Sequence, residues 1–259
     1  MQTAGARVLV TGASSGIGAS LAEILAERGA VVGLVARRQE RLAEVLAQCR
    51  RTSPESRMWV ADLADTERAE AVALEAWEAF GHLDCLVNNA GVPMRRHTSR
   101  LDGDTLEWVM QVNFFAPARM MLAVLPRMLE RGEGMVVNVS SVAGRLGNAN
   151  EAAYSASKFA LCGWSEATAV DLWDTPIKIR LVNPGPIDTE IWDLPDNDDP
   201  LYDGPKISAA EMAEGVIAAM EGDHFETYLP DMKAIIESKT SDIDPFLAGM
   251  ASMLRGPRG

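Results

Sequence analysis

Short apolar runs alternate along most of the chain with amphipathic stretches of helical period. Residues 8–11, 31–36, 58–61, 83–88, 135–140, 177–183 and 225–229 are near-continuous in Val, Ile and Leu, as expected of strands in a parallel sheet covered on both faces. Between them, 16–28, 38–50, 65–80, 102–131, 152–173 and 209–220 read as helices. Gly29 and Gly81 stand where helix C-termini take left-handed geometry, and Asp65 stands where an N-cap is wanted. Pro117 and Pro126 are expected to kink or split the long stretch, because each removes a helical N–H and crowds the preceding turn. The alternation predicts a doubly wound α/β fold, a seven-stranded parallel sheet with helices on both faces, as one domain over 1–259.

Two stretches fall outside this rhythm. Residues 186–208 are rich in Pro and Asp, and 188–203 hold seven acids (Asp188, Glu190, Asp193, Asp196, Asp198, Asp199, Asp203) and no base. A loop of this length is either a solvated segment or a lid, whose apolar part would be Trp192, Leu194 and Tyr202. Residues 231–259 carry Met232, Ile235, Ile236, Phe246, Leu247, Met250, Met253 and Leu254 at helical spacing. Packing against the body is the first reading; capping a neighbouring subunit or the substrate cleft are the alternatives. Few bases flank the segment, so a membrane-surface helix is not expected.

Composition narrows the class. With 24 basic and 37 acidic residues the net charge is −13, which argues against nucleic-acid or anionic-membrane partners. Three cysteines, Cys49, Cys85 and Cys162, show neither a disulfide framework nor zinc spacing, and His82, His97 and His224 have no partners at metal spacing. No metal is expected. No apolar run approaches a membrane span and the first ten residues are too short for a leader, so a cytoplasmic protein is expected.

The first strand leads straight into Thr11-Gly12-Ala13-Ser14-Ser15-Gly16-Ile17-Gly18 and a helix. Glycines there allow a tight turn and close backbone approach to a pyrophosphate, which the helix N-terminus then stabilises. The second strand ends at Ala36 and is followed by Arg37-Arg38, where a dinucleotide site for NAD would place an acid; a guanidinium suits the 2′-phosphate of NADP instead. A solvated basic start to the next helix is the alternative. Tyr154 and Lys158 stand at i and i+4 on a helix, so phenol and ammonium share one face. A fixed cation beside a phenol favours the phenolate, and about 3 pKa units would make it a proton carrier at neutral pH. Ser140-Ser141 follows a strand and offers a hydroxyl to an oxygen gaining charge.

With these residues assembled, the sequence resembles the short-chain dehydrogenase/reductases over about residues 5–230. The motifs, in order, are TGASSGIG (11–18), Asp62 in ADL, NNAG (88–91), Asn113, NVSS (138–141), YSASK (154–158) and NPGPIDT (183–189). The resemblance implies a Rossmann fold and a catalytic set of Asn113, Ser141, Tyr154 and Lys158. Tyr154 would be the acid/base, and Ser141 rather than Ser140, by its spacing to Tyr154, would polarise the substrate oxygen. Lys158 would hold the nicotinamide ribose and lower the Tyr154 pKa, while Asn113 would hold a kinked helix and support a proton relay. The implied cofactor residues are Gly12, Ser14, Ser15, Gly16, Ile17, Gly18, Arg37, Asp62 at the adenine, Leu63, Asn89, Ala90, Gly91, Tyr154, Lys158, Pro184, Gly185, and Ile187 and Thr189 at the carboxamide. NADP(H) is favoured over NAD(H) on Arg37, although Ser15 stands where the family's usual basic residue would be. Substrate contacts are expected from Met94, Val142, Leu146, Asn148, Pro186, Trp192 and Tyr202, a mostly apolar set.

The resulting expectation is an oxidoreductase interconverting a secondary alcohol and a ketone or aldehyde on a largely apolar small molecule. The alternative is a non-catalytic nucleotide-sensing or scaffold protein on the same fold, for which Tyr154 and Lys158 would not both be needed. A homodimer or homotetramer through 102–131 and 152–173 is also implied. The basic cluster at 94–100 reads as a solvated loop, or as Arg95 or Arg96 recognising a substrate anion.

Overall fold

Val8, Leu9 and Val10 are fully buried in the first strand, covered from both faces as their unbroken apolar run requires. The computed structural model describes residues 1–254, so positions 255–259 of the predicted C-terminal segment lie outside the described residues. The strands are β1 (Arg7–Thr11), β2 (Val31–Ala36), β3 (Arg57–Val60), β4 (Cys85–Asn88), β5 (Gly134–Val139), β6 (Ile177–Pro184), β7 (Ile187–Asp188), β8 (Ile207–Ser208) and β9 (Glu226–Leu229). Seven form one parallel sheet in the order β3-β2-β1-β4-β5-β6-β9, while β7 and β8 pair separately. The order reverses direction at β1/β4, and the crevice beyond the strand C-termini at such a switch point is where ligands bind.

The helices are α1 (Gly16–Glu27), α2 (Gln39–Cys49), α3 (Thr66–Phe80), α4 (Gly103–Met110), α5 (Ala116–Arg131), α6 (Ala152–Asp171), α7 (Ala209–Glu221), α8 (Lys233–Ser241) and α9 (Ile243–Met253). Leu21, Leu25, Leu42, Val216 and Ile217 pack with one face of the sheet, and Val72, Trp77, Met120, Met121 and Val124 with the other. A fully buried leucine such as Leu21 stabilises by roughly 2 kcal/mol. Asp65 caps α3 by accepting from the Glu67 and Arg68 amides, and Gly81 ends it at φ +81°.

The long stretch 102–131 is split near one of its two prolines and not at the other. A π turn, Gln111–Phe115, divides α4 from α5, and Pro117 follows in the first turn of α5, where a missing N–H costs least. Pro126 neither splits nor ends the helix, because α5 runs through it to Arg131. Burial of Met120, Met121, Val124 and Met128 on that helix outweighs the roughly 3 kcal/mol cost of an interior proline. The whole of Gly103–Arg131 is long and apolar enough to cross a membrane, yet half its most apolar window is buried inside the fold, as in a core helix.

Candidate active site

The turn between β1 and α1 is built for close approach. Gly12 takes φ +69°, and a Cβ there would come within 2.8 Å of the Ala90 Cα. At Gly18 a Cβ would fall 2.4 Å from the Gly12 carbonyl oxygen. The two glycines therefore let the turn close on itself and on the β4 end. Asn89 fixes that junction: its side-chain amide donates to the Thr11 carbonyl at 2.9 Å, while the Asn89 and Ala90 amides both donate to Thr11 Oγ1 at 3.0 Å. Ser15 precedes α1 with no side-chain cap, so the first amides of that helix stay open to an anion.

A crevice beside this turn is lined by Gly12, Ser14, Ser15, Gly16, Ile17, Arg37, Asp62, Leu63, Asn89, Ala90, Gly91 and Thr189, all of them expected cofactor residues. Arg37 is exposed and lies 3.9 Å from the Asp62 carboxylate. Its neighbour Arg38, outside the expected set, is the more engaged: Nη2 donates to Ser15 Oγ at 2.6 Å and to Ser14 Oγ at 3.2 Å. Arg41, one turn further along α2, and Glu190, from the acidic loop, complete this corner. Neither stood out in the sequence, because 149 residues separate them.

The expected catalytic side chains converge from three elements. β5 carries Ser140 and Ser141 to its C-terminal end, α6 presents Tyr154 and Lys158, and the π turn presents Asn113. Ser140 turns inward, its hydroxyl donating to the Lys158 carbonyl at 3.2 Å, which leaves Ser141 as the hydroxyl beside Tyr154. The Lys158 ammonium donates to the Val139 carbonyl at 3.1 Å and sits 5.9 Å from the Tyr154 ring centre. Asn113 is fully buried: Oδ1 accepts from the Val92 amide at 2.8 Å, and Nδ2 donates to the Val92 carbonyl and to Ser157 Oγ, each at 3.0 Å. Both Asn113 Oδ1 and Lys158 Nζ face the same spot beside Gly91.

The electrostatics run opposite to one expectation. Burial pushes the Tyr154 phenol well above its ordinary value and the Glu151 carboxylate raises it further, while Ser141 and Arg95 pull only partly the other way. Lys158 does not lower it here, because burial drives the lysine itself down to about 8 and weakens the cation. Tyr154 is therefore held as the neutral phenol in the cofactor-free chain. Glu151 is likewise raised by burial, with the Asn148 amide donating to it at 2.8 Å.

A cavity of about 380 Å³ opens onto Ser141, Tyr154 and Lys158. Val142, Leu146, Asn148, Pro184, Gly185, Pro186, Ile187, Thr189, Trp192 and Tyr202 line it as expected. Met94 does not: it is buried with Val92, Val109, Val112 and Ala153 beneath the site, where its flexible thioether fills a small apolar cluster. The far wall comes from α8, α9 and the residue before them, through Met232, Ile235, Phe246, Met250 and Met253. The C-terminal segment thus borders the cleft and also rests on the body, where Lys239 of α8 donates to the Arg145 carbonyl at 3.0 Å and lies over the Phe159 ring; no residue of α8 or α9 is buried.

Arg95 is not part of a solvated loop, and it also lines the cavity. It is 5% exposed, and its guanidinium donates to the carbonyls of Trp192 at 2.7 Å, Asp198 at 3.0 Å and Ile191 at 3.2 Å. Arg96 donates to the Asp196 carbonyl and Arg100 pairs with Asp198, so the cluster clasps the acidic loop. Loop 186–208 is thus tied down at its middle.

Comparison with known proteins points one way. The family model of short chain dehydrogenases matches residues 6–199. The chain is 38% identical over 177 residues to a fatty acyl-CoA reductase of Acinetobacter baylyi, covering 67% of this chain and 60% of that one. It is 34% identical over 187 residues to a 3-ketodihydrosphingosine reductase of Bacteroides thetaiotaomicron, covering 72% and 65%. The match spans about three fifths of the length of such curated relatives. Among solved structures, a short-chain dehydrogenase of Burkholderia cenocepacia in complex with NADP superposes with TM-score 0.81 at 31% identity, covering 96% of this chain and 99% of that one. One from Burkholderia phymatum in complex with NAD gives 0.86 at 26%, covering 94% and 96%.

Proposed function

The chain belongs to the short-chain dehydrogenase family, and on that premise we propose that it reduces the carbonyl of a largely apolar substrate with NADPH. The observation that carries this reading is a neutral, buried Tyr154 hydroxyl, flanked by Ser141 and Lys158, at the floor of an apolar cavity that shares Ile17, Asn89, Gly91 and Thr189 with the glycine-turn crevice.

The residues fit a dinucleotide: the uncapped α1 N-terminus and the Gly12–Gly18 turn would take the pyrophosphate, and Arg37 and Arg38 a 2′-phosphate. A nicotinamide bound there supplies the hydride. The protein's part is to hold and protonate the carbonyl oxygen. Tyr154, kept neutral by burial, donates its proton to that oxygen as charge develops, and Ser141 donates a second hydrogen bond. Lys158, close to half-charged near pH 8, sits behind the phenol and restores its proton, with Asn113 holding the helix that faces it.

The cavity supports an acyl or alkyl ketone or aldehyde. Apart from a polar corner of Asn148, Asn150 and Glu151 and the catalytic groups, its walls are mostly apolar, and relatives named for fatty acyl-CoA and 3-ketodihydrosphingosine reduction agree. Phe115, Leu122 and Leu129 on one long helical stretch and Phe159, Val170 and Trp173 on or just after the other are exposed, and they support a homodimer or homotetramer.

NADPH consumption over ketones of increasing chain length tests the proposal, with Tyr154→Phe as control. That variant is expected to lose roughly 10²–10⁴ in kcat and to bind NADPH within about twofold of wild type. Turnover unaffected by the substitution would defeat the mechanism, and binding without turnover on any carbonyl would favour the nucleotide-sensing alternative.

A further inference from the structure

The corner where the lid meets α2 holds an anion of the protein's own. Glu190 is the first residue of the lid's 3-10 turn, Glu190–Trp192, directly after Thr189. Its two carboxylate oxygens are divided between two arginines: Oε1 lies 2.5 Å from Arg38 Nη2, and Oε2 lies 2.5 Å from Arg41 Nη1. Arg38 is the N-cap residue of α2 and is itself steered by Ser14 and Ser15, which accept from its guanidinium at 2.6–3.3 Å. Two guanidiniums, two hydroxyls and an uncapped helix start form a seat for a multiply charged oxyanion, of which one carboxylate neutralises only part. The carboxyl is held down to about 2, chiefly by Arg38, so it stays ionised there at any working pH.

The seat borders the crevice lined by Gly12, Ser14, Arg37 and Asp62. After β2 the chain carries Arg37-Arg38 where a site for NAD would carry an acid. Glu190 brings an acid to Arg38 from the far side of the cleft, through the fold rather than through the β2 end. A ribose hydroxyl and a carboxylate are compatible neighbours, whereas a phosphate monoester and a carboxylate on the same two arginines repel.

We propose that Glu190 is a cofactor-selectivity residue: its carboxylate occupies the anion seat made by Arg38, Arg41, Ser14 and Ser15, and a 2′-phosphate has to displace it. The inference rests on the nicotinamide-dinucleotide reading above. Displacing Glu190 from both arginines forfeits two partly exposed ion pairs, together worth up to about a tenfold change in affinity. Glu190 therefore tempers the preference that Arg37 and Arg38 would otherwise impose.

Titration calorimetry of the full chain with 2′,5′-ADP and with 5′-AMP tests this on wild type, Glu190→Gln and Glu190→Ala. The expected result is about tenfold tighter 2′,5′-ADP binding in both variants, with 5′-AMP unchanged within about twofold. Unchanged or weaker 2′,5′-ADP binding in the variants would overturn the proposal and make Glu190 a brace that orients the arginines for the phosphate. The wild-type ratio of NADPH to NADH affinity is read separately. A wild type favouring NADH would defeat the NADPH preference of the proposed function, while the sign of the Glu190 effect would still decide this inference.

Discussion

Replacing Arg95 by Met tests the clasp on loop 186–208. The substitution keeps an unbranched apolar stem in a site only 5% exposed and removes every guanidinium donor. Lost are the bonds to the Trp192, Asp198 and Ile191 carbonyls and the stacking of the guanidinium 5.7 Å from the Trp192 ring centre. The backbone bonds survive: the Arg95 amide to Asn197 Oδ1 at 2.8 Å, and the Asp198 amide to the Arg95 carbonyl at 2.7 Å. Each charged hydrogen bond is worth about 1.5–3 kcal/mol when its partner stays buried. The lid carbonyls regain water on opening, so the net loss to the closed lid is about 3 kcal/mol, or roughly a hundredfold in the opening constant. Hydrogen exchange reads this directly: the Asp193 and Asp198 amides are expected to exchange about a hundredfold faster, with the strand amides of β1, β4 and β5 unchanged. Arg100→Ala, which removes only the exposed pair with Asp198, is expected to stay within about threefold of wild type. Turnover by Arg95→Met is expected to fall equally on matched anionic and neutral ketones. Unaltered lid exchange would refute the clasp, and a loss confined to anionic ketones would restore Arg95 as a substrate ligand.

Two further outcomes follow from the same geometry. Burial lowers Lys158 from 10.5 to about 8, so between those values the unfolded chain holds a proton the folded chain has released, and the stability tied to this group rises with pH. Lys158→Met is therefore expected to gain about 3 kcal/mol over wild type at or below pH 8, with the gain shrinking towards pH 10.5; urea melts showing a pH-independent difference would contradict it. Truncation after Pro230 removes α8 and α9, neither of which has a buried residue, so the melting temperature and NADPH affinity are expected to hold. A substrate losing ~60 Å² of apolar cover against Met232, Phe246 and Met250 should show about tenfold higher KM, and an unchanged KM would place the substrate elsewhere.

The strands, their parallel sense and the β1–α1 turn were legible because their signals are local. An unbroken Val/Ile/Leu run, a glycine at φ +69° or an Asp at an N-cap each reports its own few residues. Tyr154 and Lys158 were legible for the same reason, one helical turn apart on α6. Pro126 does not split its helix, because its local cost is overruled by non-local burial of the helix that carries it. Met94 was misjudged because adjacency to the NNAG strand says nothing about which side of the backbone its side chain takes.

Periodicity and spacing were enough for the doubly wound sheet and for Tyr154 and Lys158 on one helix face, while the choice of Ser141 over Ser140 came from the family resemblance. The tertiary structure decided how the cleft is closed and charged. Arg95 meets Trp192 across 97 residues, Arg41 meets Glu190 across 149, and Phe246 faces a cavity whose floor is Tyr154. A basic run and an acidic loop carry no mark of being partners until the chain brings them together. The protonation state of Tyr154 belongs to the same class, since desolvation by the surrounding fold outweighs the lysine one turn away.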